Sequence, residues 1–401
     1  MNKMKTIQIS FLLLLVSGIA TSQVINKNIL KTIIEKGRQS HSNAVVIIKD
    51  NKIVTEEYYN KKPKPEYIAS AGKSLVALAI AKLIDDGKIK SLDQPVYEFY
   101  PEWKQGTKKD ITVRMLLNHT SGLQNFANAT VELEPAPKYK AKNILQLALC
   151  AEVSDKPGTV FSYNNKAVAL LGGIIEKASG KPFDKYFEEN FYGPMHITEY
   201  GWIRDEAGNA TTHGAFVIEP MDFAKFGLLL LNNGTYNNQK VISSNLIQQI
   251  IQPGQSTDLS CGLLWWRLLN VNKRVITQKN LKLMEDANVN PGIISKLRPL
   301  LNDTLPFLDH NASMAKQLGD NWYLQITDEL AEKKLPANTY RERIQSKDAI
   351  AYYADGFRGN WMVVVPSSNL VAIRVRGNEE DYNPDTDDFE DFVELIAKLC
   401  K

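Results

Sequence analysis

From Leu75 to Ile84 the chain is apolar on nearly every side of a helix, with Lys82 as the charged exception. A helix without a polar stripe has to be surrounded by protein. Whatever this chain folds into must therefore enclose that segment and release it at Gly87, the next stop signal. With 401 residues and 44% apolar content there is enough chain to do so, in one large domain or two intimately joined ones.

Ser70-Ala-Gly-Lys73 stands at the head of this helix. Positions i and i+3 share a helix face, so the Lys73 amine can lie against the Ser70 hydroxyl without help from distant chain. Serine needs such a neighbour because its hydroxyl is a weak nucleophile at neutral pH. The spacing is not selective by itself: Ser313-Met-Ala-Lys316 repeats it in a polar stretch between Asn311 and Gly319, where we expect a surface position rather than a buried helix. Tyr-x-Asn likewise begins at Tyr58, Tyr163 and Tyr236. Only Tyr163-Asn-Asn165 lies downstream of Ser70 at the head of another apolar helical run, Val168 to Ala178, ending at Gly180.

A lysine is ordinarily protonated at neutral pH, but burial or a nearby cation lowers its pKa, and Lys73 begins a buried helix. Tyr163 is the alternative proton acceptor, and the residues leave the choice open. A serine at a helix start also supplies an oriented N–H and the positive dipole end for a developing oxyanion, whereas a plainer serine there only caps the helix. A third segment, Tyr353-Ala-Asp-Gly-Phe-Arg-Gly-Asn-Trp361, leads into an apolar strand, and its glycines three apart permit close backbone approach by a ligand or an ordinary bulged turn.

Competing chemistries lack their residues. The chain has five histidines but no Gly-x-Ser-x-Gly elbow, and His119 and His213 read as hydrogen-bonded structural residues. There is no HExxH, paired CxxC, Walker loop or GxGxxG, so we expect no metal and no cofactor. The formal charge of +3, from 48 basic and 45 acidic residues, is too balanced for a nucleic-acid footprint, and Lys61, Lys62 and Lys64 read as a solvated loop. Cys150, Cys261 and Cys400 all sit in apolar surroundings, which predicts buried thiols with at most one disulfide.

Residues 1–22 carry Lys3 and Lys5, an apolar stretch from Ile9 to Ile19, and small residues Ala20 and Ser22. That is the layout of a secretory signal peptide, too short for a spanning helix, and it predicts a secreted or periplasmic protein with no stable membrane span once the signal is removed. Beyond it, β-rich runs flank Asp50-Asn-Lys52, predicting a hairpin before the Ser70 helix. The middle of the chain reads as helical. Strand character returns at Gly262–Trp266, Ala349–Tyr353, Trp361–Val365 and Leu370–Val375, before a closing helix on Phe389, Phe392, Val393, Ile396 and Cys400. This predicts an α/β protein, an α+β sandwich with an antiparallel sheet: residues 23–87 and 253–401 form a discontinuous α/β domain, and residues 88–252 an inserted all-helical domain. A further stretch at 270–345, broken by Pro291, Pro299 and Pro306, is expected to be helical and to overhang the cleft.

Ser70-x-x-Lys73, Tyr163-x-Asn165 and Ala354-Asp-Gly356, in that order, resemble the three motifs of the serine β-lactamase-like superfamily. The closest branch holds class C β-lactamases, D-alanyl-D-alanine peptidases and related esterases and 6-aminohexanoate-dimer hydrolases. The phrases Ile111–Leu123, Phe161–Asn165 and Phe223–Gly227 carry the likeness too. The resemblance implies the β-lactamase/transpeptidase-like fold, with Ser70 acylated, Lys73 its proton partner, and Tyr163 general base and later activator of water. It also implies that Asn165 bonds Lys73 and the substrate, and that the oxyanion hole uses the N–H groups of Ser70 and Phe357. Members that bind a substrate carboxylate resemble one another in placing lysine or histidine first in the third motif. Here Ala354 stands there with Asp355 behind it, as in the esterase-like branch. We therefore expect an exported serine hydrolase acting on a small ester, amide or peptide, with Ala354, Asp355, Gly356 and Phe357 beside the substrate. A non-catalytic penicillin-binding-like sensor, and a β-lactamase or D-alanyl-D-alanine carboxypeptidase, stand as alternatives.

Overall fold

A computed structural model describes residues 24–59, 61–124, 141–377 and 381–400. The signal sequence expected at 1–22 lies outside them. The centre is a six-stranded sheet built from β1 (Ala44–Lys49), β2 (Lys52–Glu57), β3 (Trp266–Leu269), β4 (Ala349–Gly356), β5 (Asn360–Val365) and β6 (Leu370–Val375). Its order is β2-β1-β6-β5-β4-β3, with every pairing antiparallel. The expected hairpin is present: Lys49 pairs with Lys52, and Asp50 and Asn51 take φ of 51° and 58°. Two consecutive positive φ values make the turn whose twist matches its strands, which asparagine and aspartate tolerate.

Every residue of β1 and β6 is buried, because both faces of the sheet are covered. Val45, Ile47, Val363 and Ala372 face a layer made by the chain ends, α1 (Lys27–Gln39) and the closing helix Phe392–Ala397, packed through Ile33, Phe392, Val393 and Ile396. Alternate residues Val46, Ile48, Val364, Val371 and Ile373 face the helical layer. The period-2 alternation thus serves two cores at once.

In that second layer, α2 (Lys73–Asp85) buries ten of its residues and is released at Gly87, φ 67°. Next comes α3 (Asn165–Ser179), capped by Asn164 and closed by Gly180 in the left-handed region. Then α4 (Pro220–Leu231) lies on β1, β5 and β6. Its Gly227 is required: an added Cβ would sit 2.6 Å from Val371 Cγ1. Short strands 66–67, 200–202 and 216–218 form a small sheet in this region, a departure from the all-helical expectation for 88–252. Such pieces are too short to show a period in sequence.

Residues 270–345 hold four helices, α5 (Gln278–Asp286), α6 (Pro291–Leu297), α7 (Phe307–Leu318) and α8 (Trp322–Glu332), around a core of their own that includes Leu281, Met284, Leu297, Met314, Ile326 and Leu330. Pro291 opens α6 and Pro306 precedes α7, as the helix breaks required. A three-stranded sheet of 305–306, 272–275 and 342–345 was not expected in this stretch, because charged residues occupy much of its strands. One expectation holds and another needs correction. Ser313 and Lys316 lie on the outer side of α7, at the surface as expected; Cys150, expected buried, is exposed, with Cys261 and Cys400 buried and all three thiols free. Cys150 ends the short helix Ile144–Cys150, which turns only Ile144 and Ala148 fully inward. Among the described residues no helix is long and apolar enough to cross a membrane, and no cluster suited to a metal ion occurs.

Candidate active site

Ser70 does not sit in α2 itself but in a 3₁₀ turn, Ala69–Gly72, that feeds it. Ala69 takes φ 49°, an uncommon backbone state for a residue with a Cβ and one that occurs where a side chain must be aimed. The turn is held from two sides. A Cβ added to Gly356 would fall 2.2 Å from the Ile68 carbonyl and 3.0 Å from Ala71 N, and one on Gly214 would fall 3.5 Å from both N and Oγ of Ser70. The end of β4 thus presses on the serine turn so closely that no side chain fits at Gly356, while the Thr212-His-Gly214 loop lies in ordinary contact with Ser70.

Lys73, 3% exposed, reaches back so that its Nζ lies 2.7 Å from Ser70 Oγ, and it also donates to the His213 carbonyl. Burial lowers its pKa to about 7, against an upward pull from the Asp355 charge. The Tyr163 phenol hydrogen-bonds Ser70, which favours its anion, yet burial dominates and holds its pKa well above the usual value. The Lys73 ammonium position lies 5.0 Å from the centre of the Tyr163 ring. That ring is wedged between His119, 4.7 Å away, and Trp266, 6.3 Å away and nearly parallel. His119 is buried and neutral, its pKa lowered to about 3 by burial and by the Lys73 charge. Its Nδ1 accepts from the Asn164 N–H at 3.1 Å.

Ser70, Lys73, His119, Tyr163, Cys261, Trp266 and Asp355 line one narrow pocket. Ser70, Lys73 and Tyr163, from two separated segments, thus meet at one point, with Asp355 arriving from a third. The Asp355 carboxyl is raised to about 6 by burial, which outweighs the Lys73 charge.

The other expected residues are placed differently. Asn165 makes no hydrogen bond to Lys73; among the described residues its Oδ1 is buried without a partner, and the His213 carbonyl takes the amine instead. The neighbouring Asn164 does the anchoring, its Nδ2 donating to Leu123 O at 2.9 Å while its Oδ1 caps α3. Ala354 is fully buried in the helical-side core and lines no part of the pocket. Gly356 abuts the serine turn, and Phe357 follows with its ring 64% exposed and 5.3 Å from Tyr382.

Sequence reasoning passed over Arg374. Buried in the apolar strand β6, it donates to the Arg358 and Gly359 carbonyls, the latter at 2.8 Å, and to Ser42 Oγ at 2.9 Å. Asn360 Nδ2 holds the Phe357 carbonyl at 2.7 Å. Together they fix the turn that follows Gly356. A lone arginine among five apolar residues, Leu-Val-Ala-Ile-Arg-Val, was the available signal.

Ser70 is thus bonded to a buried lysine and a buried tyrosine, and to no histidine among the described residues. The β-lactamase family model matches residues 30–255, and the chain belongs to that family. Protein flp of Staphylococcus aureus strain N315 is 30% identical over 190 residues, which cover 44% of this chain and 37% of that one. The match thus spans little more than a third of that relative's length. A Bacteroides dorei structure provisionally assigned as a β-lactamase superposes with a TM-score of 0.63 at 18% identity, covering 94% of this chain and 99% of its own. A Bacillus anthracis structure provisionally assigned as a 6-aminohexanoate-dimer hydrolase gives 0.60 at 17%, covering 92% and 82%. These likenesses bear on the fold, which is β-lactamase/transpeptidase-like.

Proposed function

We propose that the protein is an exported serine hydrolase that cleaves an ester or amide through an acyl-enzyme on Ser70. The observation that carries the reading is the 2.7 Å approach of a lysine amine with a pKa of about 7 to the serine hydroxyl. At neutral pH a large share of Lys73 is an unprotonated amine, able to take the Ser70 proton as its oxygen attacks the carbonyl. Tyr163, kept protonated by burial and bonded to the same hydroxyl, is suited to pass a proton to the leaving group. Water then enters the same path in reverse and releases the acid. The Ser70 and Phe357 N–H groups are assigned to the oxyanion.

Asp355 sets the substrate class. With a carboxylate in the pocket and Ala354 turned into the core, the third motif offers no cation for a substrate carboxylate. That favours neutral or amine-bearing esters and amides over penicillins and cephalosporins. The test is a screen of the purified protein with p-nitrophenyl esters, aminoacyl p-nitroanilides, D-alanyl peptides and nitrocefin, beside Ser70→Ala. Ester or amide turnover that vanishes in the variant supports the reading; full retention of p-nitrophenyl acetate hydrolysis by Ser70→Ala refutes it. Export is tested by sequencing the N-terminus of protein from the culture medium or periplasm, with cleavage expected near residue 22.

A further inference from the structure

Arginines rarely lie buried without an acceptor, because a guanidinium removed from water loses strong hydrogen bonds that only an oxygen-rich partner restores. At the base of the 270–345 region three of them are brought together. Arg274 and Arg343 are cross-strand partners in its small sheet, and Arg341 lies two residues upstream of Arg343. Arg274 is 2% exposed, and the charges of Arg341 and Arg343 bear on it strongly enough, after burial, to help bring its pKa down to about 10. The Arg341 pKa is lowered too, by burial and by Arg343.

Arg274 Nη1 donates to Asn272 Oδ1 at 2.6 Å and to the Lys273 carbonyl at 3.1 Å, but other donors are not spent. Arg274 Nε, Arg343 Nε, and both Nε and Nη1 of Arg341 are buried with no hydrogen-bond partner among the described residues, as is the hydroxyl of fully buried Tyr340. His310 Nε2 is in the same condition, and the Arg341 and Arg274 charges help hold that ring neutral. Asp258 faces this group, 3.3 Å from Arg343, but one carboxylate cannot balance three guanidiniums, and its Oδ1 already accepts from Ser260 and Gln345. Unpaired N–H and O–H donors gathered around excess positive charge are what a compact oxyanion requires.

We infer that Arg274, Arg341, Arg343 and Tyr340 form a binding site for one oxyanion group, a phosphate, sulfate or carboxylate. The site stands where this region joins the body of the protein. Arg343 Nη1 donates to the Thr257 carbonyl at 2.8 Å, and Gln345 Oε1 accepts from Leu259 N at 2.8 Å. That segment runs on to Cys261, which lines the Ser70 pocket. The anion has two sources in this arrangement: a free inorganic ion that braces the junction, or the anionic tail of a molecule seated in the cleft.

Calorimetric titration of the mature chain with sodium phosphate, against sodium chloride of equal ionic strength, tests the site without relying on catalysis. One saturable binding event is expected, with a rise in Tm of about 2–5 °C. Arg341→Leu should lose both while folding normally, since it removes a buried unpaired cation, and its Tm in chloride should equal or exceed that of the wild type. A flat phosphate titration, or phosphate binding by Arg341→Leu equal to that of the wild type, overturns the inference. Kinetics separate the sources. If phosphate raises KM about 10-fold for a p-nitrophenyl ester with a carboxylate tail but not for p-nitrophenyl acetate, the site holds the tail; a Tm rise with both KM values unchanged identifies a structural brace. Loss of all esterase activity would leave the calorimetric result standing.

Discussion

Ser70–Lys73 and Ser313–Lys316 share one spacing and differ in everything that makes chemistry. At the first, a strained 3₁₀ turn feeds a helix buried on every side, and the lysine is enclosed with a neutral form accessible near pH 7. At the second, the pair rides the outer side of an amphipathic helix, α7, whose buried residues are His310, Met314 and Leu318, while Lys316 points to solvent. An i, i+3 relation brings two side chains together in both places, yet only burial removes the water that keeps an amine protonated. Spacing proposes a nucleophile, and the surrounding layers decide whether it is one.

Substitutions should separate the two pairs. Ser70→Ala is expected to lower kcat/KM for a p-nitrophenyl ester by about 10⁴-fold or more, and Ser313→Ala to leave it unchanged. Lys73→Met should be nearly as damaging to activity but should raise Tm. The folded-state pKa of Lys73 lies below its unfolded value of 10.5, so the protonated native form is disfavoured and stability rises with pH between about 7 and 10.5. Replacing the amine by an apolar side chain removes that penalty; Lys316→Met should shift neither activity nor its pH profile. Thermal melts at pH 7 and pH 9.5 check the sign, because the wild type should gain relative to Lys73→Met on going up.

Tyr163→Phe is expected to cost about 10²–10³-fold in kcat, the range of a lost proton-transfer partner, while its ring keeps its place between His119 and Trp266. The smallest effect should come from Arg374→Met, about 10-fold in kcat with KM little changed, because the guanidinium acts only by holding the turn after Gly356. A drop in Tm with kcat intact would reduce Arg374 to a structural residue.

Much of this contrast was legible in the sequence. The all-round apolar Leu75–Ile84 run demanded a buried helix, and the short β-branched apolar runs of β1, β5 and β6 disclosed the sheet. Ser70, Lys73, Tyr163 and Asp355 could be named because ordered motifs carry them. What could not be read was set by tertiary contact. The His213 carbonyl in place of Asn165 as the lysine's acceptor depends on a loop 140 residues away. Ala354 and Asp355, both expected beside the substrate, part ways because strand side chains alternate, and register alone says which faces the core. The two- to four-residue strands at 272–275, 305–306 and 342–345 carry no period long enough to detect, and so the arginine cluster they assemble was invisible.

The most direct test is fluorophosphonate labelling of the wild-type protein across pH 5–10, with the modified peptide identified by mass spectrometry. A single adduct on Ser70 is expected, its rate of formation rising with pH through an apparent pKa of about 7, that of the buried Lys73 amine. An adduct on Ser313, or a rate at Ser70 that climbs only above about pH 10 with the ordinary lysine or tyrosine value, would contradict it.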